Sequence, residues 1–244
     1  MHACNDAGAL LTLWEAALGQ AAGTRGDALL RASPEGAPSA RTLGERNARL
    51  LDLHSRLFGS ELELLSQCPA CHTVAQFSGN CDALAARMRG LAEAPAHRLE
   101  ALGHVVEFRL PDSADIASAT SVEDTEEFVQ LLLDRCVLAC TCEGADVAVR
   151  HLPGPVLDAV SQQMHALDPG ASVSFALDCP QCAARWEAPL DVGEMLWQKV
   201  RADAERMLLD IDALARSYGW TEREVLGLSP LRRAAYLQMA TAGG

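Results

Sequence analysis

The sequence predicts an α+β, helix-rich fold with two zinc-ribbon-like β-hairpin knuckles and a helical module at its C-terminus. Three observations predict it. Two copies of C-P-x-C, Cys68-Pro69-Ala70-Cys71 and Cys179-Pro180-Gln181-Cys182, lie 111 residues apart. Apolar residues recur at helical spacing over much of the remaining chain. Each knuckle is followed by a β-like segment, an aspartate (Asp82, Asp191) and a helix, so the two halves read as diverged copies of one unit. An approximate twofold axis relating them would bring the knuckles together.

Taken in order, Leu10 to Ala21 is a short amphipathic stretch, and ASPEGAPSA at 32–40 reads as a flexible connection. Leu50, His54, Leu57, Phe58, Leu62 and Leu65 follow a 3.6-residue period, which predicts one helix from Gly44 to Gln67 leading directly into the first knuckle. TVAQFS is β-like, and Asn80 or Asp82 caps a helix over Ala83 to Gly90. HVVEFRLP (104–111) alternates as a strand after a loop containing Pro95.

Thr120 or Ser121 caps the next helix, whose acidic first turn complements the helix dipole and which is expected to run to about Ala139. A helix follows Pro155 and stops at Asp168-Pro169-Gly170. ASVSFALD and ARWEAPL are strands on either side of the second knuckle, and Asp191 with Glu194 opens a long helix to Ser217. Thr221 to Glu224 has the form of a capping box, and Ser229-Pro230 starts a last helix. The expected division is 1–43 as N-terminal helix and linker, 44–193 as α+β core, and 194–244 as C-terminal helical module.

The chain has 244 residues, long enough for a sizeable core, and 49% of them are apolar. No stretch approaches the roughly 18 to 20 uninterrupted apolar residues of a membrane span. The N-terminus lacks the pattern of a secretory signal, so the expectation is a soluble cytoplasmic protein. The net charge of −13 is concentrated at 107–194, where 4 basic face 16 acidic residues. That balance repels phosphate and argues against nucleic acid as a partner.

In a reducing compartment nine cysteines are thiols, and a C-P-x-C turn places two of them in one small volume. Two such halves complete a tetrahedral site, so Cys68, Cys71, Cys179 and Cys182 are expected to bind one zinc per chain. Two separate sites, completed by His72, Cys81, Cys136, Cys140 or Cys142, are the alternative arrangement. Cys136 falls on an apolar helix face, Cys140 and Cys142 read as loop thiols, and His54 reads as a core histidine. No G-x-S-x-G, Walker loop or dinucleotide fingerprint is present. A closed thiolate site leaves no open position for catalytic water, and the expectation is a protein that is not an enzyme.

Several phrases together resemble a known family: LGERNARLLDLHSRLFGSELELLSQCPAC, EFRLPDSADI, LLLDRCV, CPQCAARWEAPLD, and LWQKVRADAERMLLDIDALARSYGWTEREVLGLSPLRRAAYLQM. They resemble the T4-type phage base-plate protein family, also met in bacterial contractile injection systems, over residues 8 to 241. The ending from Tyr218 to Leu237 carries the resemblance most specifically. It implies a chaperone-like factor for base-plate hub assembly, with hub, spike or tube proteins of a contractile tail as partners and no active site. The alternatives are a zinc-ribbon nucleic-acid-binding regulator and a metal- or thiol-dependent enzyme. Tyr218, Trp220, Leu231, Arg232, Arg233 and Tyr236 are the expected partner surface, since Tyr, Trp and Arg anchor interfaces and this end is the least acidic part of the chain.

Overall fold

The computed structural model describes residues 7–34, 42–89, 94–119, 122 and 124–242. Two helices open the chain, α1 (Ala7–Ala17) and α2 (Ala22–Ala32), followed by α3 (Leu43–Phe58). The first hairpin is β1 (Glu61–Gln67) with β2 (Val74–Asn80), and α4 (Cys81–Met88) follows it. A second unit contains β3 (His97–Ala101), β4 (His104–Phe108), α5 (Ser113–Ala119), α6 (Thr125–Cys136), β5 (Val137–Cys142), β6 (Ala145–Asp146) and α7 (Gly154–Leu167). The chain then forms β7 (Val173–Asp178), β8 (Arg185–Leu190), and helices α8 (Val192–Tyr218), α9 (Glu222–Leu226) and α10 (Pro230–Ala242). The fold is α+β, and among the described residues every strand pairs antiparallel.

The larger core is built on α8, whose 27 residues extend about 40 Å at the helical rise. Leu196, Val200, Ala204, Met207, Ile211 and Leu214 recur every three or four residues, and Leu10 and Leu13 of α1, Leu29 of α2 and Leu50 and Leu53 of α3 join them in one cluster. This cluster crosses both expected boundaries, at 43/44 and at 193/194, so helices of all three expected segments share a single core. The segment read as a connection begins within α2, and residues 35–41 of it lie outside those described.

The smaller core is the sheet β3-β4-β5-β6 with α6 and α7 on it. Val106 and Phe108 point inward from β4, as the alternation predicts, against Val156 and Val160 of α7. Behind the sheet Asp115 is fully buried and accepts two hydrogen bonds from Arg109, at 2.6 and 2.8 Å, and one from Arg135 at 2.8 Å. Burial alone would raise its pKa, but Arg109, the Asp112 amide and Arg135 hold it well below the ordinary carboxylate value.

Several expectations are corrected. The helix expected through Gln67 stops at Phe58, because Gly59 takes φ 93°, and the chain re-enters as a strand. Leu62 and Leu65, read as one helical face, alternate instead: Leu62 is buried and Leu65 is 71% exposed. Similarly, α6 ends at Cys136, and Cys140 and Cys142 lie on β5, with Cys140 buried in the smaller core. Asp124 caps α6 by accepting from the Glu127 amide at 2.9 Å, while Thr120 and Ser121 lie outside the described residues. Helices α2 and α5 and strand β3 carry no signal strong enough to be read from the sequence.

One close approach ties the units together. Gly44 donates its amide to the buried Asp168 carboxylate at 2.9 Å, and a Cβ on Gly44 would sit 1.8 Å from Asp168 Oδ1. Only glycine lets the start of α3 reach the end of α7 there.

Candidate metal centre

The two knuckles are the same six-residue turn. In the first, the Cys68 amide donates to the Thr73 carbonyl at 2.9 Å and the His72 amide to the Cys68 carbonyl at 2.9 Å. In the second, the Cys179 amide donates to the Ala184 carbonyl at 2.8 Å and the Ala183 amide to the Cys179 carbonyl at 3.0 Å. The residue after each second cysteine is left-handed, His72 at φ 61° and Ala183 at φ 58°. A non-glycine residue there costs roughly 1 kcal/mol, which the paired strands on either side absorb.

The repeat extends beyond the turns. Asn80 accepts from the Ala83 amide at 2.9 Å and caps α4; Asp191 accepts from the Glu194 amide at 2.9 Å and caps α8. Asn80, not Asp82, is therefore the counterpart of Asp191, each nine residues beyond its second cysteine. Counting on from the cysteines in the same way matches Leu62 with Val173 and Cys81 with Val192, all buried. Cys81 fills a core position, and its sulfur lies 3.3 Å from Nδ1 of the buried His54. Burial pushes the Cys81 thiol up to about 12 and the His54 imidazole down.

The hairpins meet face to face. Phe77 of β2 and Phe175 of β7 pack with ring centroids 5.1 Å apart, and the Trp186 indole donates to the Ser66 hydroxyl at 3.2 Å. This contact brings the four knuckle sulfurs within 4.8 Å of one another. Cys68 Sγ is 3.8 Å from Cys182 Sγ, and Cys71 Sγ is 3.5 Å from Cys179 Sγ. The first cysteine of each knuckle thus faces the second of the other, the exchange that a local twofold axis produces.

All four are free thiols, far from the roughly 2.05 Å of a disulfide. A tetrahedral ion with metal–sulfur bonds of about 2.3 Å sets its ligands about 3.8 Å apart; the two cross-hairpin pairs at 3.8 and 3.5 Å are close to that, within a cluster that spans up to 4.8 Å. The electrostatics of the four sulfurs point the same way. Hydrogen bonding by the Thr73 hydroxyl and amide draws the Cys71 thiol down to about 6. At Cys182 the Ala184 amide lowers the pKa, but the neighbouring sulfurs, Cys71 first, outweigh it and push the thiol up to about 12. Four sulfurs this close cannot all ionise unaided, and a divalent cation at their centre removes that conflict.

Among the described residues these four cysteines make one cluster that could hold a metal ion. The alternative ligands lie elsewhere: Cys81 against His54, Cys136 beside Asp115, and Cys140 and Cys142 on β5. His72 is exposed at the turn.

The expected partner residues divide. Tyr218, Trp220 and Tyr236 pack on one another with centroids 4.8 to 5.7 Å apart, and Trp220 and Tyr236 rest on the larger core. Arg233 turns inward to Asp210 at 3.4 Å with its side chain only 12% exposed, so it belongs to the packing of α10 on α8. Leu231, 85% exposed, and Arg232 face outward. The residues missed by sequence reading are Thr73, Ser66 and Trp186, whose roles depend on which hairpin face meets the other. No protein family, no curated protein and no solved structure matches the chain.

Proposed function

We propose that the chain is a zinc-stabilised, non-enzymatic assembly factor for the base-plate hub of a contractile phage tail or injection system. The observation that supports the metal role is the convergence of the Cys68, Cys71, Cys179 and Cys182 sulfurs from two hairpins to within 4.8 Å of one another. Zinc suits four thiolates, and such a closed site supplies folding energy. The ligands come from both halves of the chain, so the ion fastens one hairpin to the other.

The base-plate reading is supported by the sequence phrases that resemble that family, above all the Tyr218 to Leu237 ending. The outward pair Leu231 and Arg232 supplies a surface for a hub, spike or tube protein. Co-expression with the hub and tube proteins of the same gene cluster, followed by affinity purification of the metal-loaded chain, tests this reading. Stable co-purification with one of them supports it. Binding instead to DNA or RNA with submicromolar affinity at physiological salt would replace it with the nucleic-acid regulator.

A further inference from the structure

The two halves of the centre differ at one position that bears on its chemistry. Cys68 and Cys179 are buried, at 0% and 4% exposure, Cys71 is half-buried, and Cys182 is exposed. Two residues beyond Cys71 stands Thr73, whose hydroxyl oxygen accepts from the Cys71 thiol at 3.4 Å and, once that sulfur is ionised, is placed to turn and donate to it. At the same place beyond Cys182 stands Ala184, which has no such group. A hydrogen bond to a thiolate withdraws electron density from it and covers one approach. Cys182 is the sulfur of the four with neither burial nor a hydroxyl to shield it.

We infer that Cys182 is an oxidative modification site, the sulfur at which a peroxide attacks the metal centre, and that Cys68 on the other hairpin is its resolving thiol. The inference rests on the zinc reading twice: the bound cation keeps Cys182 ionised against its neighbouring sulfurs, so that exposure and the missing hydroxyl single it out, and the consequence is release of the ion. In the first step the Cys182 thiolate attacks one oxygen of hydrogen peroxide; the O–O bond breaks, giving Cys182 sulfenic acid and hydroxide. In the second, the Cys68 thiolate, 3.8 Å away, attacks the sulfenic sulfur, forms the S–S bond and expels a second hydroxide. Two electrons pass from two sulfurs to one peroxide, and the hydroxides take protons from solvent.

Losing two of four thiolates releases the ion. Cys71 and Cys179, 3.5 Å apart, then form the second disulfide with a second peroxide by the same balance. Both bridges join one hairpin to the other, so oxidation replaces the metal joint with a covalent one.

The test uses the full, metal-loaded chain. Its zinc content is first measured by elemental analysis, which reads the zinc assignment separately. Stoichiometric hydrogen peroxide is then added in the presence of a chromogenic zinc chelator, and timed samples are alkylated and mapped by peptide mass spectrometry. The expected result is a Cys68–Cys182 linked peptide appearing first and in step with zinc release. Ala184→Thr should slow both severalfold, and Thr73→Ala should raise the early share of the Cys71–Cys179 bridge. A first disulfide other than Cys68–Cys182 overturns the inference, as does retention of zinc at a dose that oxidises a free-thiol peptide, or rates unchanged in both variants. A chain that carries no zinc overturns both readings, and the elemental analysis shows that outcome before peroxide is added.

Discussion

Asn80 and Asp191 are counterparts: each stands nine residues beyond the second cysteine of its knuckle and caps the helix that follows by accepting a 2.9 Å hydrogen bond from the amide three residues on. Knuckle, returning strand and helix start therefore form one repeated unit, present twice. The cap fixes where α4 and α8 leave the hairpins, and the helices then anchor both hairpins to the larger core.

One zinc ion per chain is expected, because the two units contribute two sulfurs each to a single cluster. Native mass spectrometry of protein purified without added metal should show it. Two ions per chain, or none, would remove the shared site.

Cys179→Ser should cost most of the net stability of the fold. Structural zinc contributes on the order of 10 kcal/mol at neutral pH, comparable with the whole stability of a domain. Thermal unfolding followed by circular dichroism should show a large drop in midpoint together with loss of bound metal. An unchanged midpoint would mean that the cluster is not structural.

Asp115→Asn should destabilise by about 1 to 3 kcal/mol, since Arg109 and Arg135, whose side chains reach solvent, would lose their charge-assisted hydrogen bonds to the buried carboxylate. Denaturant unfolding measures it. The same pairing sets a pH dependence. The folded pKa lies below the ordinary 3.8, so the contribution is fully present above about pH 4 and fades as pH falls toward the depressed folded value. The variant should lack that acid-side loss.

Cys81 and Cys136 should resist alkylation in the native protein. Burial first, then neighbouring carboxylates, push their thiols up to about 12 and about 11, leaving almost no thiolate at neutral pH. Iodoacetamide labelling read by peptide mass spectrometry should find both unmodified until denaturant is added. Rapid labelling of Cys81 would place it in an open site instead of the core.

Arg232→Glu and Arg233→Glu should separate binding from packing. Arg233→Glu sets a carboxylate against Asp210 and should lower the melting midpoint, by roughly 1 kcal/mol of stability. Arg232→Glu should leave the midpoint and zinc content unchanged while abolishing co-purification with the hub or tube partner. Retained co-purification would move the partner surface away from α10.

Residue type and spacing alone determined the two C-P-x-C knuckles, the strands flanking the second, the caps at Asp191, Thr221 and Ser229, and the inward face of β4, because each of these is a local signal. Where helix and strand compete for the same apolar residues, local signals gave the wrong element: ELELLSQ suits either period, and only the turn at Gly59 and pairing with β2 make it a strand. The same holds for Val137 to Ala139, which continue an apolar helix in sequence but are drawn, with the cysteines read as loop thiols, into β5 by its partner β4. Which four cysteines meet was legible in the matched C-P-x-C turns; tertiary structure decided how they meet. The 4.8 Å cluster depends on Phe77 packing on Phe175 and Trp186 reaching Ser66, contacts between residues about a hundred positions apart that no spacing rule encodes. The inward turn of Arg233 and the outward turn of Arg232 were likewise set by where α8 lies, since adjacent helix positions point about 100° apart and the neighbour chooses between them.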